Sequence, residues 1–480
     1  MMENLKLFID CTEVLNLSVD DICNDNADIL LVLRHLRRLN VHRLDTQTTS
    51  WDIIFSGGSF SDSVFGHLCT LITTTVKNGL DTCRITTLDL AYVQIQPEGY
   101  RMLVAMVREM PQLLQLSVTD CIGVLGKKLL VDAALRVTTL ERLLIRSNLD
   151  DNAFDGLAEI RQPLALRDLR LENTNVWRKT LGAICRASIY GVLNLERLDL
   201  DSNTLIHDQA IHALAPMLAS RVDGLTTRLI RLNLESSNFC LEVATCLLLA
   251  LGHNKTVKHL NLSYNHFGVG FGDVLARFPL VNSSISDLNI GGVELELSGV
   301  FVGLLTALES NFTLTSLSIE GNELQDRGAT AIFEALVKRA QFKPFKLVEL
   351  RFNQITLDGL ARIADIFDRS IDANVTHAHV DSNNERNEVN GSCRKRQRFE
   401  NYDNSHRPSS ANIVLVEELR LVKNSFPANG RLLLTYAVMI NSIRRHVGNV
   451  ERMDVDSMMR AEDKQDLGRA SRAQLRRPLS

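Results

Sequence analysis

The sequence has no long hydrophobic run and few aromatic residues. No stretch approaches the roughly 20 apolar residues of a membrane-spanning helix, so we expect no membrane partner. Glu3, Asp10 and Glu13 interrupt any apolar run near the N-terminus, which predicts that there is no signal peptide. Aromatic residues make up only 5% of the chain, which favours electrostatic over hydrophobic recognition of a partner.

The nine cysteines follow no metal or disulfide pattern. Their number is odd, their spacing is irregular and no Cys-x-x-Cys occurs, which predicts free thiols in the cytoplasm or nucleus. His207 and His212 are off the spacing of a helical metal pair. Gly123 and Gly126 are closer together than the glycines of a phosphate loop. We therefore expect no catalytic residue, cofactor or metal. Without secretion, Asn-x-Ser/Thr matches such as Asn261-Leu262-Ser263 carry no meaning for glycosylation.

The charges nearly balance. Lysine and arginine number 53 and aspartate and glutamate 57, and the net charge of −4 argues against a nucleic-acid partner. Hydrophobic residues make up 45%, which is enough for a substantial core.

The sequence does contain a repeat of the form L-x-x-L-x-L-x-x-N/C-x-L. Its clearest copy is Leu195, Leu198, Leu200, Asn203 and Leu205. The second leucine of the pattern, called the central position below, recurs at 88, 116, 143, 169, 198, 232, 260, 288 and 317. Most of these steps are about 28 residues long, which is within the range of repeat lengths in leucine-rich-repeat proteins.

Further copies are less regular. One is expected at Leu347, Leu350, Phe352 and Ile355, a degraded one at Val375, Ala378, Val380 and Asn383, and a good one around Leu419. Leu36, Leu39 and Val41 are candidates for the start of the array, and Val450, Met453 and Val455 for its end.

Each copy predicts a strand followed by a helix. Leucines two apart lie on one face of a strand, and the asparagine that follows can bond the backbone where the chain turns inward. Ala329, Ile332, Phe333, Leu336 and Val337 then form one apolar helical face. A single unit cannot bury both faces, so units must stack, and strands stack more closely than helices.

The repeat period and the sequence of residues 321–329 resemble the ribonuclease-inhibitor-type leucine-rich-repeat family, over residues 85–430. The repeat domains of Ran GTPase-activating proteins and of NOD-like receptors are similar. The resemblance implies an α/β leucine-rich-repeat solenoid, a horseshoe of about 11–13 repeats with parallel β-strands on the concave face and helices on the convex face.

The predicted domains are a helical N-terminal cap at 1–80 with a possible first irregular repeat, a repeat domain at 81–456 and a disordered tail at 457–480. An F-box-like adaptor is the alternative for 1–80, although it lacks the expected proline. The polar insertion 385–410 contains Arg394, Lys395, Arg396 and Arg398, and the alternatives are a nuclear-localisation signal or nucleic-acid patch and a solvated loop.

Alternation along the strands predicts three rows of polar side chains on the concave face. Row one consists of Arg142, Asp168, Arg197, Arg231, His259 and Asp287. Row two consists of Arg170, Asp199, Asn233, Asn261 and Asn289. Row three consists of Arg146, Glu172, Asp201, Glu235, Ser263, Gly291 and Glu320. Either these rows are an ordinary polar face or they recognise a partner protein, and we favour recognition.

The function expected from the sequence is a non-enzymatic interaction scaffold or adaptor. Two alternatives remain: a Ran-type GTPase activator with a small GTPase as partner, and the ligand-recognition part of an immune-type receptor. The chain lacks the acidic segment that typically follows the repeats of the activators, and its last residues are basic.

Overall fold

A computed structural model describes residues 83–369, except 122–126, 177, 205–207, 220–226, 269, 296–298, 341–344 and 368. Outside that range it describes 14–18, 49–56, 59–60, 65–66, 69–70, 72–73, 416–421, 443 and 447–451. The chain forms two compact units, unit 1 at Met1–Gly268 and unit 2 at Val269–Ser480.

Unit 1 contains a parallel sheet whose strands follow chain order. Its strands are β1 (Val14–Ser18), β2 (Thr49–Ser56), β4 (Cys83–Ala91), β6 (Gln115–Thr119), β7 (Arg142–Arg146), β8 (Asp168–Leu171), β9 (Arg197–Asp199), β10 (Arg231–Asn233) and β11 (His259–Asn261). Two short strands, β3 (Ser59–Phe60) and β5 (Gln94–Ile95), form a separate pair. The leucines at 88, 116, 143, 169, 198, 232 and 260 are cross-strand partners, as the repeat predicts.

Helices connect these strands in unit 1. They are α1 (Pro97–Arg108), α2 (Lys127–Leu135), a 3-10 helix at Asp155–Glu159, α3 (Arg178–Ile189), α4 (Asp208–Leu218) and α5 (Leu241–Gly252). The repeat that begins with β7 thus has a 3-10 helix where the others have an α-helix.

Unit 2 repeats the same alternation. Its strands are β12 (Asp287–Asn289), β13 (Ser316–Ser318), β14 (Phe345–Glu349), β15 (Val416–Arg420) and β16 (Val447–Glu451), paired in parallel in that order. Its helices are α6 (Phe271–Val281), α7 (Gly299–Ser310) and α8 (Gln325–Ala340), and residues 357–367 are also helical. On α8, Ala329, Ile332, Phe333 and Leu336 are fully buried, which confirms four of the five predicted positions of the apolar face, and Val337 is half-buried.

The core of each unit lies between the sheet and the helices. Leu88, Leu198 and Leu260 are buried on the sheet side, and Leu103 and Leu247 on the helix side. Burial of each such side chain stabilises the fold by roughly 1.5–3 kcal/mol. The α/β leucine-rich-repeat solenoid is therefore confirmed.

Two register predictions in unit 2 are wrong. Val348, not Leu350, pairs with Leu317 and occupies the central position. A shift of two positions leaves every side chain on the same sheet face, so hydrophobicity alone does not separate the two registers. At the last strand, Val450 rather than Met453 pairs with Leu419.

The degraded repeat predicted around Ala378 supplies no strand between β14 and β15. These two strands pair directly, with Val348 opposite Leu419, and each edge of a strand accommodates one neighbour. Residues 370–415 themselves lie outside those described, and so do the insertion at 385–410 with its four basic residues and the tail at 457–480.

The N-terminal region contributes two strands to the large sheet that the sequence did not predict. β2 pairs with β4, and β1 pairs with β2 in a continuous parallel register from Val14–Asp52 to Ser18–Ser56. The candidate start at Leu36, Leu39 and Val41 and most of the proposed helical cap lie outside the described residues.

A ladder of buried asparagines closes the turn after the strand. Asn265 is fully buried; its Oδ1 accepts hydrogen bonds from the backbone N–H groups of Ser237 (3.0 Å) and Phe239 (3.2 Å). Its Nδ2 donates to the carbonyl oxygens of Leu234 (2.8 Å) and Leu262 (2.9 Å). Each amide therefore links one repeat to the repeat before it. Asn203, Asn322 and Asn353 are buried at the equivalent position and make the same kind of contacts.

A second set of asparagines ends the helices, and these residues explain several Asn-x-Ser/Thr matches. The Oδ1 of Asn254 accepts from the N–H groups of Thr256 (2.9 Å) and Val257 (2.8 Å). Asn282 does the same for Ser284 and Ile285, and Asn311 for Thr313 and Leu314. Asn254 and Asn282 are buried, so these motifs are turns of the fold.

We expect Asn265→Ala to lower the free energy of unfolding by about 3–5 kcal/mol, because it leaves several buried backbone groups without partners. Asn148→Ala is the matched control: Asn148 has the same repeat position but is exposed, and among the bonds described its side chain accepts only from Asn175 Nδ2 (2.7 Å). Urea unfolding followed by circular dichroism measures both. Equal midpoints for the two variants would show that the ladder does not hold the repeats together.

Candidate protein-binding surface

The sheet of unit 1 aligns the predicted rows. In row one, Arg142, Asp168, Arg197, Arg231 and His259 are successive cross-strand partners on β7 to β11. Row two runs beside them through Arg170, Asp199, Asn233 and Asn261 on β8 to β11. We call the sheet face that carries the unit 1 members of the three rows the polar sheet face. Their role in binding stays a prediction.

The centre of the polar sheet face is a closed group of four charges. Both carboxylate oxygens of Asp168 accept from Arg170, from Nε at 3.0 Å and Nη2 at 2.8 Å. Arg197 Nη2 lies 2.8 Å from Asp199 Oδ2, and its Nε lies 3.8 Å from Asp168. The side chain of Asp199 is only 3% exposed and also accepts from Asn233 Nδ2 at 2.8 Å. These four side chains neutralise one another.

Arg142 and Arg231 flank this group, and both are exposed. Arg142 lies opposite Asp168 on the neighbouring strand, and Arg231 lies opposite Arg197. Within the described part of the chain neither guanidinium forms an ion pair, because the nearby aspartates are already bonded to other arginines. These two cations of row one are therefore available to a ligand.

Row three follows the ends of the strands. Arg146 pairs with Glu172, Asp201 accepts from Ser202 Oγ (2.9 Å), and Glu235 accepts from Asn261 Nδ2 (2.8 Å). Burial raises the pKa of Asp201 from its usual value, and the hydrogen bond from Ser202 opposes that rise. Row three therefore presents mainly carboxylates.

Row two also has a structural role that the sequence did not reveal. The side-chain oxygens of Asp199, Asn233 and Asn261 accept from the backbone N–H two positions further on, at 3.3, 3.2 and 3.1 Å. These bonds hold the strand ends and restrict the side chains. Part of row two therefore stabilises the fold, as expected if the rows are an ordinary polar face.

Unit 2 has a charged cluster of its own. Glu349 is buried and accepts from Arg351 Nε at 2.7 Å and from Arg420 Nη1 at 3.4 Å. Arg351 also lies 3.3 Å from Glu320, a predicted member of row three. Burial raises the pKa of Glu349, and Arg351 counteracts this rise. The predicted rows ended at Asp287, Asn289 and Glu320 and so did not include Glu349 and Arg351.

Three aromatic residues lie just after strands in a left-handed backbone conformation. Tyr92, Tyr264 and Phe352 have φ of 57°, 55° and 55°, and their exposures are 62%, 47% and 50%. Other repeats have Asn173, Ser202 or Gly321 there, residues that suit a tight turn better. A non-glycine residue in this conformation costs roughly 1–2 kcal/mol, so aromatic residues at these positions are less favourable for folding than asparagine or glycine.

Other kinds of site have no support in the described residues. No group of three or more histidine, cysteine, aspartate or glutamate side chains there is placed to hold a metal ion. Burial raises the pKa of the Cys185 thiol to about 12, which makes it a poor nucleophile. None of the described helices is long and apolar enough to cross a membrane.

Comparison with known proteins agrees with the fold. A family model described as Leucine Rich repeat matches residues 253–269 and 310–333, which include the ladder residues Asn265 and Asn322. A search of curated proteins finds no match. The family match and the repeated geometry support a leucine-rich-repeat protein. Repeats of this kind generally bind other proteins and are generally not enzymes.

The geometry predicts opposite roles for two arginines of row one. Arg197→Ala should lower the free energy of unfolding by about 1–3 kcal/mol, because it leaves the buried Asp199 without its counter-charge. Arg231→Ala should change it by less than about 0.5 kcal/mol, since Arg231 is exposed and supports no neighbour. Urea unfolding of the two variants tests this; a fully stable Arg197→Ala would contradict the closed group of four.

Replacing an exposed left-handed aromatic should stabilise the protein. We expect Tyr92→Asn to raise the free energy of unfolding by up to about 1 kcal/mol, because asparagine tolerates this conformation. Tyr190→Asn is the control, since Tyr190 is 76% exposed and does not have a positive φ. Calorimetric melting temperatures measure the difference. A loss of stability in Tyr92→Asn would mean that the ring serves the fold.

Proposed function

We propose that the chain is a non-enzymatic adaptor that binds a partner protein on the polar sheet face. The observation that carries this proposal is the pair of exposed arginines, Arg142 and Arg231, beside a group of charges that is already neutralised. Because Asp168 and Asp199 are already bonded to Arg170 and Arg197, carboxylates of a partner can pair with Arg142 and Arg231.

The rigidity of the polar sheet face supports a binding role. Row two is bonded to its own backbone, and the Asp168–Arg170 pair is bidentate. Side chains ordered before binding lose less conformational entropy when a partner docks. Such a surface suits recognition by charge pattern more than by deep burial of apolar groups.

The repeats are also best explained as the ribonuclease-inhibitor type. Successive central positions in unit 1, such as Leu232 and Leu260, recur at about 28 residues, near the long end of the range for leucine-rich repeats. The connecting α-helices in the two units have 9 to 16 residues. Leucine-rich repeats at the short end of their length range leave less room for a full helix. This assignment is a proposal about the repeat type and names no partner.

A steric block without a change of charge tests the adaptor function. Leu144 is half-buried on β7, in register with Arg170 of row two, and Leu144→Trp should obstruct a partner. Ala105→Trp on the exposed side of α1 is the matched control. Full-length tagged variants are compared with the wild type by affinity purification and quantitative mass spectrometry from cells that express the protein.

We expect at least one protein to be retained by the wild type and by Ala105→Trp but reduced at least tenfold by Leu144→Trp. A set of bound proteins that is identical for all three, with equal melting temperatures, would show that the polar sheet face is not the binding surface.

A further inference from the structure

The charges of the polar sheet face are separated along the strands. On β7 to β10, rows one and two together contain four arginines and two aspartates, which leaves two positive charges. Over the same repeats row three contains Arg146 against Glu172, Asp201 and Glu235, which leaves two negative charges. Rows one and three are four positions apart along a strand, or roughly 13 Å at about 3.3 Å per residue.

The positive charge is concentrated at two points. Asp168 and Asp199 are bonded to Arg170 and Arg197, so the uncompensated cations are Arg142 and Arg231. They are three strand spacings apart, about 14 Å at about 4.8 Å per spacing. In an extended polypeptide, side chains at positions i and i+4 point to the same side and lie about 13 Å apart.

We propose that the partner contributes an extended acidic segment, which lies across β7 to β10 along row one and places carboxylates on Arg142 and Arg231. This inference rests on the proposed adaptor function. Row three repels the segment from the strand ends and so fixes it on row one. The whole chain has a net charge of −4 and does not attract anions in general, so capture of an acidic segment requires this local pair.

The binding test uses the full chain and a fluorescent octaglutamate peptide, followed by anisotropy at low salt. We expect Arg142→Glu/Arg231→Glu to weaken binding at least tenfold and Arg142→Gln/Arg231→Gln to weaken it less. The control is Arg101→Glu/Arg108→Glu, which makes the same change of charge on the exposed side of α1 and should stay within twofold of the wild type. Equal melting temperatures establish that the variants fold.

Three outcomes would overturn the acidic-segment proposal. One is that octaglutamate fails to bind the wild type. Another is that it binds Arg142→Glu/Arg231→Glu as tightly as the wild type, as capture by the basic residues 394–398 would produce. The third is that a single-stranded DNA octamer binds the same arginines more tightly than octaglutamate, which would point to a nucleic acid.

The failure of this proposal can be separated from failure of the adaptor function. If Leu144→Trp removes a bound protein while Arg142→Glu/Arg231→Glu retains it, the polar sheet face binds a partner by other contacts and only the acidic segment is wrong. If both variants retain every bound protein, both proposals fail.

Discussion

The buried amides of Asn203, Asn265, Asn322 and Asn353 are the contact on which the repeats depend. At this point each chain segment leaves the sheet and turns into the core, where backbone N–H and C=O groups have no water to bond. An asparagine side chain supplies both a donor and an acceptor, so one residue satisfies groups of two successive repeats. These bonds fix the register of neighbouring strands, and this register aligns the central leucines in the core.

The repeat around Leu143 lacks this buried amide and is irregular. Asn148 is exposed, and the carbonyl oxygen of that residue accepts instead from Lys127 Nζ at 2.6 Å. Burial lowers the pKa of Lys127, and nearby acidic groups oppose that change. The same repeat has a 3-10 helix in place of an α-helix. Arg142, Leu144 and Arg146 all belong to the strand of this irregular repeat, so the proposed binding surface begins at the irregular repeat.

The polar sheet face depends on the same backbone. Parallel strands in a common register bring like positions of successive repeats to about 4.8 Å, close enough for cross-strand ion pairs. Within the closed group of four charges, the two shortest pairs, Asp168–Arg170 and Arg197–Asp199, form between residues two apart on one strand, and the 3.8 Å contact of Arg197 Nε with Asp168 joins two strands. Arg142 and Arg231 form no ion pair among the described residues, and their exposed charges make the polar sheet face a candidate for recognition of a charged partner.

Leucine spacing alone determined the fold, the central positions of nine strands and the three rows, because the repeat period and the alternation along each strand are visible in one dimension. The spacing did not determine the register at Val348, since a shift of two positions preserves the buried face, nor the direct pairing of β14 with β15. It also did not show that Asp199, two residues after Arg197, is buried, or that Arg231 is exposed. Only the tertiary structure decided that Asp168 bonds Arg170, two residues along its own strand, and not Arg142 on the neighbouring strand, because that choice depends on distances between side chains of different repeats.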